Sequence, residues 1–317
     1  MKHSRSVAAI GGIMAFAIGA HQLFSVIYVV DAKTITSTTQ QEVSSFPDPF
    51  KELILEAHAV YVYDLANHRV LFAQNEEEKL PLASVTKLMT ALVARNMANA
   101  NEVVTLTSSH LAVEGDSGLR PGERWLLKDI LSTMLLVSSN DAARAVAEFA
   151  GSRGQESSDM GLSREKFIQE MNIQAQDLGL SHMEFFNESG LDLEGKTKNG
   201  GYGSAREVSI LISELWKKYP EVLEITARRE ARIVSQDTIS HHLVNTNEIT
   251  GNIPGLIASK TGYTDLTGGN LAIIFDVGIN RPIIAVVLGS TYHGRFEDLK
   301  KLVTAVLSLE NQARSTL

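Results

Sequence analysis

The sequence has no cysteine among its 317 residues. That removes disulfide bonds, thiol catalysis, cysteine-ligated zinc and cysteine lipidation together. It has no excess of basic charge either: 29 Lys and Arg stand against 37 Asp and Glu, a formal net charge of -8. No field is available to hold a run of phosphates, so no nucleic-acid partner is expected. Nine histidines are present, none in a His-Glu-x-x-His spacing, and only His241 and His242 are adjacent. The sequence therefore implies no metal site and no cofactor. There is no internal repeat. With 44% hydrophobic residues the chain can bury the core of one large domain or two small ones.

The N-terminus carries an export signal. Lys2 and Arg5 precede an apolar stretch from Val7 to Val30 that only His21, Gln22 and Ser25 interrupt. Such a stretch reaches the roughly 20 residues that cross a bilayer, and its basic flank would stay cytoplasmic and send the rest outward. Residues 1–32 are thus expected to be an N-terminal membrane anchor, or else a signal peptide cleaved near Val30-Asp31-Ala32. The Ser, Thr and Gln-rich stretch that follows, with Pro47 and Pro49 near its end, reads as a polar linker over 33–52. Residues 53–317 form the expected folded domain.

Two β-prone runs, Ala59 to Leu65 and Arg69 to Gln74, suggest a hairpin. Apolar spacing then predicts helices over Ser84 to Met97, two between Leu126 and Glu148, and one over Ser163 to Leu180. Ser204 and Glu207 predict a capping box for a further helix ending before Pro220. Three β-branched runs, Ile257 to Thr261, Leu271 to Val277 and Pro282 to Gly289, read as consecutive antiparallel strands before a closing helix from about Arg295 to Leu309. The fold expected is mixed α/β: an antiparallel sheet built from both ends of the chain and flanked by helices, with a mainly helical subdomain from the middle.

Three short segments carry chemistry. In Ser84-Val85-Thr86-Lys87 the three-residue spacing puts a hydroxyl and an amine on one helix face. A lysine serves as base to a serine only if burial or a second cation lowers its pKa, and Val85, Leu88, Met89, Leu92 and Val93 supply an apolar setting. Alone, Ser84 reads equally well as a helix N-cap. A second copy, Ser163-Arg164-Glu165-Lys166, reads as an N-cap at a polar helix start. Ser138-Ser139-Asn140 falls on a turn between two helices, where a hydroxyl and a carboxamide can face a cleft. Lys260-Thr261-Gly262 ends a strand and offers a cation, a hydroxyl and a close backbone approach to an anion.

In this order the three segments match the signature of the penicillin-recognising serine enzymes. From about residue 53 to 310 the chain most closely resembles the D-alanyl-D-alanine carboxypeptidase family, the low-molecular-mass penicillin-binding proteins. Pro121-Gly122-Glu123, Phe186-Asn187 before Gly190-Leu191, Asn245-Thr246-Asn247 and Tyr263-Thr264 ahead of Gly268-Gly269 support the likeness. The resemblance implies a β-lactamase/transpeptidase-like fold, peptidoglycan stem peptides as substrates and β-lactams as covalent inhibitors, on the outer face of the cytoplasmic membrane or in the periplasm. It also implies roles: Ser84 as acylated nucleophile, Lys87 as its base and Ser138 as proton relay. Asn140 would orient Lys87 and hold substrate, and Lys260 and Thr261 would receive the terminal carboxylate. Lys260 would depress the pKa of Lys87, and Gly262 and Tyr263 would complete the substrate strand, with the Ser84 and Tyr263 N–H groups as oxyanion hole.

Two positions depart from the family pattern. Ser139 stands where Gly or Ala is common and should point away from the cleft, and Thr246 stands in a stretch where some relatives place a carboxylate-binding arginine. Three alternatives remain. A D-alanyl endopeptidase fits because no β-rich domain or amphipathic helix follows the last predicted helix. A class A-like β-lactamase would need Glu188, in Glu188-Ser189-Gly190-Leu191-Asp192, to activate water. A non-catalytic β-lactam or peptidoglycan sensor would keep the fold alone.

Overall fold

The β-branched runs at the two ends of the expected folded domain form one sheet. In the computed structural model, which describes residues 47–115, 117–153, 160–193, 196–278 and 280–315, β1 (Ala59–Asp64) and β2 (Arg69–Gln74) form the N-terminal hairpin. Strands β3 (Leu256–Thr264), β4 (Gly268–Asp276) and β5 (Pro282–Ser290) follow one another near the C-terminus. The spatial order is β3-β4-β5-β1-β2, antiparallel throughout, with β1 zipped onto β5 from Ala59↔Leu288 to Asp64↔Ile283. The apolar leader and most of the linker, residues 1–46, lie outside the described residues. No helix among the described residues is long and apolar enough to cross a membrane.

Side chains alternate across a strand, and here both faces are covered. Ala59, Tyr61, Ile274, Ile284 and Val286 face one apolar cluster, which continues into the helical region. Val60, Val62, Ile273, Phe275, Ile283 and Val287 face a second, closed by Phe296, Leu299, Leu302 and Val306 of the last helix. Packing begins ahead of residue 53, since buried Phe50 stacks on Phe72 with ring centroids 5.4 Å apart.

The middle of the chain supplies α1 (Lys87–Met97), α2 (Leu127–Leu136), α3 (Asn140–Gly151), α4 (Met160–Asp177) and α5 (Ala205–Lys218), and α6 (Gly294–Ser315) closes it. Helix α1 is central: every residue from Lys87 to Ala94 is buried. The capping box at α5 is present, Ser204 Oγ accepting from Glu207 N at 3.2 Å. One expected cap is not. Ser163 lies inside α4, three residues past its start, and is buried at 1% exposure, so a packing position replaces the N-cap read from its polar neighbours. The sequence reading also missed a hairpin, Glu230–Val234 with Ser240–Val244, in which exposed residues alternate with partly buried ones in the first strand and with buried His241 and Leu243 in the second.

Candidate active site

Ser84 does not start the α-helix. It sits in a 3-10 turn, Ala83–Thr86, that leads into α1. The turn is held from several sides. Ala83 has φ 47°, and its N–H donates to Asn199 Oδ1 at 3.2 Å. Asn270 Nδ2 donates to the carbonyls of Pro81 and Leu82 at 3.0 Å each. Strand β3 passes so close that a Cβ on Gly262 would stand 2.7 Å from Leu82 O and 3.2 Å from the Ser84 nitrogen. Only glycine allows that approach.

Lys87 is fully buried one turn along. Its amine donates to Ser84 Oγ at 2.8 Å, Asn140 Oδ1 at 2.7 Å and the Ser189 carbonyl at 2.8 Å. Burial lowers its pKa to about 7, against the opposing charge of Glu188. A neutral amine keeps two donors for Asn140 and Ser189 and turns its lone pair to the Ser84 hydroxyl. That arrangement can take a proton from serine.

Asn140 is aimed by its other end, where Nδ2 donates to Glu114 O at 2.8 Å. Ser139 caps α3, accepting from Ala142 N at 3.0 Å, and so points away from the cleft as expected. Ser138 takes φ 62°, a left-handed conformation that costs a non-glycine residue about 1–3 kcal/mol. The strain turns its hydroxyl to Lys260 Nζ, 2.9 Å away. Lys260 is also buried and donates to its neighbour's carbonyl, Thr261 O, at 2.7 Å. Burial, then the charges of Lys87 and Arg295, hold the Lys260 amine well below the usual lysine range. Burial is the first cause at both amines, and the like-charge repulsion between them disfavours a proton on either.

Ser84 and Ser138 open on a cavity of about 430 Å³, lined also by Thr261, Gly262 and Tyr263, with Lys87, Asn140 and Lys260 set behind its wall. Thr246, in the stretch where an arginine was looked for, lies with its Oγ1 2.6 Å from Thr261 Oγ1. A cation comes instead from the start of α6. Arg295 lines the cavity at 3% exposure, donates to Gly262 O at 2.7 Å, and carries its guanidinium 4.5 Å from the centre of the Tyr292 ring. No motif marked it, and sequence spacing alone could not have brought α6 to β3. Clefts of about 330 Å³ beside Tyr61 and about 560 Å³ beside Asn172 are lined by neither Ser84 nor Ser138, so side-chain chemistry rather than size locates the site. Among the described residues no group of three His, Asp or Glu side chains could hold a metal ion.

The family model for D-alanyl-D-alanine carboxypeptidase matches residues 47–291. The chain belongs to this family. Among family members, D-alanyl-D-alanine carboxypeptidase DacF of Bacillus subtilis is 33% identical over 246 residues, 76% of this chain and 59% of that protein. The chain thus spans less than two thirds of that relative's length. A D-alanyl-D-alanine endopeptidase of Haemophilus influenzae is 28% identical over 222 residues, 69% of this chain and 70% of that one. Penicillin-binding protein D2 from Listeria monocytogenes, solved in its ampicillin-bound form, superposes with a TM-score of 0.65 at 30% identity, covering 80% of this chain and 98% of that one. The mixed α/β fold expected from the sequence is the fold of this penicillin-binding protein.

Proposed function

We propose that the chain is a serine-type D-alanyl-D-alanine carboxypeptidase that acts on peptidoglycan stem peptides through an acyl-enzyme on Ser84. The observation that carries this reading is the buried Lys87 amine, 2.8 Å from Ser84 Oγ with a pKa of about 7. Neutral Lys87 takes the Ser84 proton as Oγ attacks the carbonyl of the penultimate D-alanine. The oxyanion is met by the N–H groups of Ser84 and Tyr263, each such donor contributing typically about 3 kcal/mol. Collapse breaks the peptide bond, and the leaving amine receives its proton through Ser138, which Lys260 holds at 2.9 Å. Water then attacks the acyl-enzyme with Lys87 again as base. Thr261, Lys260 and Arg295 form the cationic end that receives the substrate's terminal carboxylate, and Asn140 holds the peptide.

β-Lactams would acylate the same serine. The protein would work outside the cytoplasm, exported by its N-terminal segment and held to the membrane if that segment stays attached. Glu188, the residue a β-lactamase would need free to activate water, is engaged by Arg164 at 2.8 Å and lies 3.9 Å from Arg144. That argues for slow release of a penicilloyl group. A second reading, cleavage of D-alanyl cross-links, is favoured by the endopeptidase relative. Incubation with a stem pentapeptide and with a cross-linked dimer separates the two. Free D-alanine from the pentapeptide supports the carboxypeptidase, monomers from the dimer support the endopeptidase, and neither product would refute both.

A further inference from the structure

Glu188 is buried at 2% exposure behind the proposed base. Its carboxylate accepts from Arg164 Nε of α4 at 2.8 Å, and Arg144 of α3 stands 3.9 Å from its other oxygen. The same residue anchors the backbone beneath α1. The Glu188 carbonyl accepts from Thr90 Oγ1 at 2.6 Å, and the next carbonyl, Ser189 O, is the one to which Lys87 donates. Arg144 continues the chain of charge to Glu148, which meets His110 Nε2 at 3.0 Å. Buried ion pairs often stabilise a fold no better than apolar residues of the same size. A carboxylate kept in this place therefore calls for a task.

We infer that Glu188, clamped by Arg164 and Arg144, is a positioning residue for Lys87: it holds the carbonyl that orients the amine and, through its charge, sets how readily Lys87 gives up its proton. This rests on the reading of Lys87 as the base for Ser84. The groups facing Lys87 are Ser84, the neutral Asn140 of α3, the Ser189 carbonyl and the charge of Glu188, with Lys260 of β3 as the neighbouring cation. The charged groups facing Glu188 are Arg164, Arg144 and Lys87 itself. Of the charges acting on Lys87, Glu188 is the one that opposes burial. Its negative charge favours the ammonium form, so removing it makes Lys87 lose its proton at lower pH.

The test is the rate of Ser84 acylation by excess benzylpenicillin, followed by intact mass from about pH 5 to about pH 9 on the full chain. In the wild type the rate climbs through about pH 7. In Glu188→Gln the midpoint of that climb moves down by about one unit, the usual size of one near charge. In Arg164→Gln, which leaves the carboxylate with one arginine fewer, it moves up by about half a unit. Arg164 is partly exposed, so this variant carries the test alone should circular dichroism show Glu188→Gln unfolded. Midpoints unchanged from wild type, or shifts of reversed sign, overturn the inference. Failure of the underlying reading shows separately: a wild type that takes no adduct, or a Ser84→Ala variant that takes one, overturns both before any Glu188 variant is made.

Discussion

Below about pH 7 the buried amine of Lys87 holds a third proton, and Ser84 then faces a donor instead of a base. Because the lysine's pKa is lowered, the active form is the one present above it. Acylation should rise with pH through about 7 and fall about tenfold per unit below, read as the rate of adduct formation; a flat profile would remove Lys87 from the role. Arg295 supplies a second prediction. Arg295→Gln should lower kcat/KM for a peptide ending in a free carboxylate by about 10–100-fold, mainly through KM, as loss of a charge-assisted bond does. The same peptide with an amidated end should lose little, and an equal loss on both would mean that Arg295 acts only by holding Gly262 O. Ser84, Lys87, Ser138, Asn140, Lys260 and Thr261 were legible in the sequence because each belongs to a short motif with its own chemistry. Arg295 and the Ser189 carbonyl were not. The first reaches the cavity only through the packing of α6, and the second contributes a backbone atom that no side chain announces.

At the scale of elements, the site depends on turns that non-glycine residues make at positive φ, Ala83 at 47° and Ser138 at 62°. Apolar periodicity describes strands and helices but says nothing about such turns, which is why Ser84 was read onto the α-helix instead of the 3-10 turn before it. Asn187, Gly190 and Asn199 brace that turn: Asn187 Oδ1 accepts from Gly190 N at 2.7 Å, and Asn199 Nδ2 donates to Gly190 O at 2.9 Å while its Oδ1 accepts from Ala83 N. Gly190 has φ +78°, and a Cβ there would stand 1.8 Å from Ala83 O. Gly190→Ala should therefore displace the nucleophile turn, lowering stability by about 2 kcal/mol or more and acylation by about 100-fold or more. Gly122→Ala is the matched comparison, since Gly122 has φ +86° but open space around it. It should lose only about 1–2 kcal/mol to backbone strain and keep its acylation rate. Similar losses of activity in the two, by urea titration and adduct kinetics, would contradict the brace.

For the whole molecule, the two ends of the described domain are held together by more than β1 and β5. Asp298 of α6 is fully buried and accepts from the N–H groups of Glu56 and Ala57 at 3.0 and 2.8 Å and from Ser290 Oγ at 2.9 Å. Asp298→Ala leaves three donors without that acceptor and should cost about 3 kcal/mol, or roughly 5–10 °C in Tm, measured by thermal melting; an unchanged Tm would mean water replaces the carboxylate. The assembly of one sheet from both ends was legible, since β-branched runs flank a helical middle. The strand order was not, because pairing of β1 with β5 is a tertiary choice that local patterning leaves open. The geometry of the proposed site rests on this closure, for Lys87 comes from the helical middle and Lys260 from the C-terminal strands. The most direct measurement is the intact mass of the purified protein after brief exposure to benzylpenicillin, beside Ser84→Ala. The account predicts one stable adduct on the wild type and none on the variant; an adduct on Ser84→Ala, or an unmodified wild type, would contradict it.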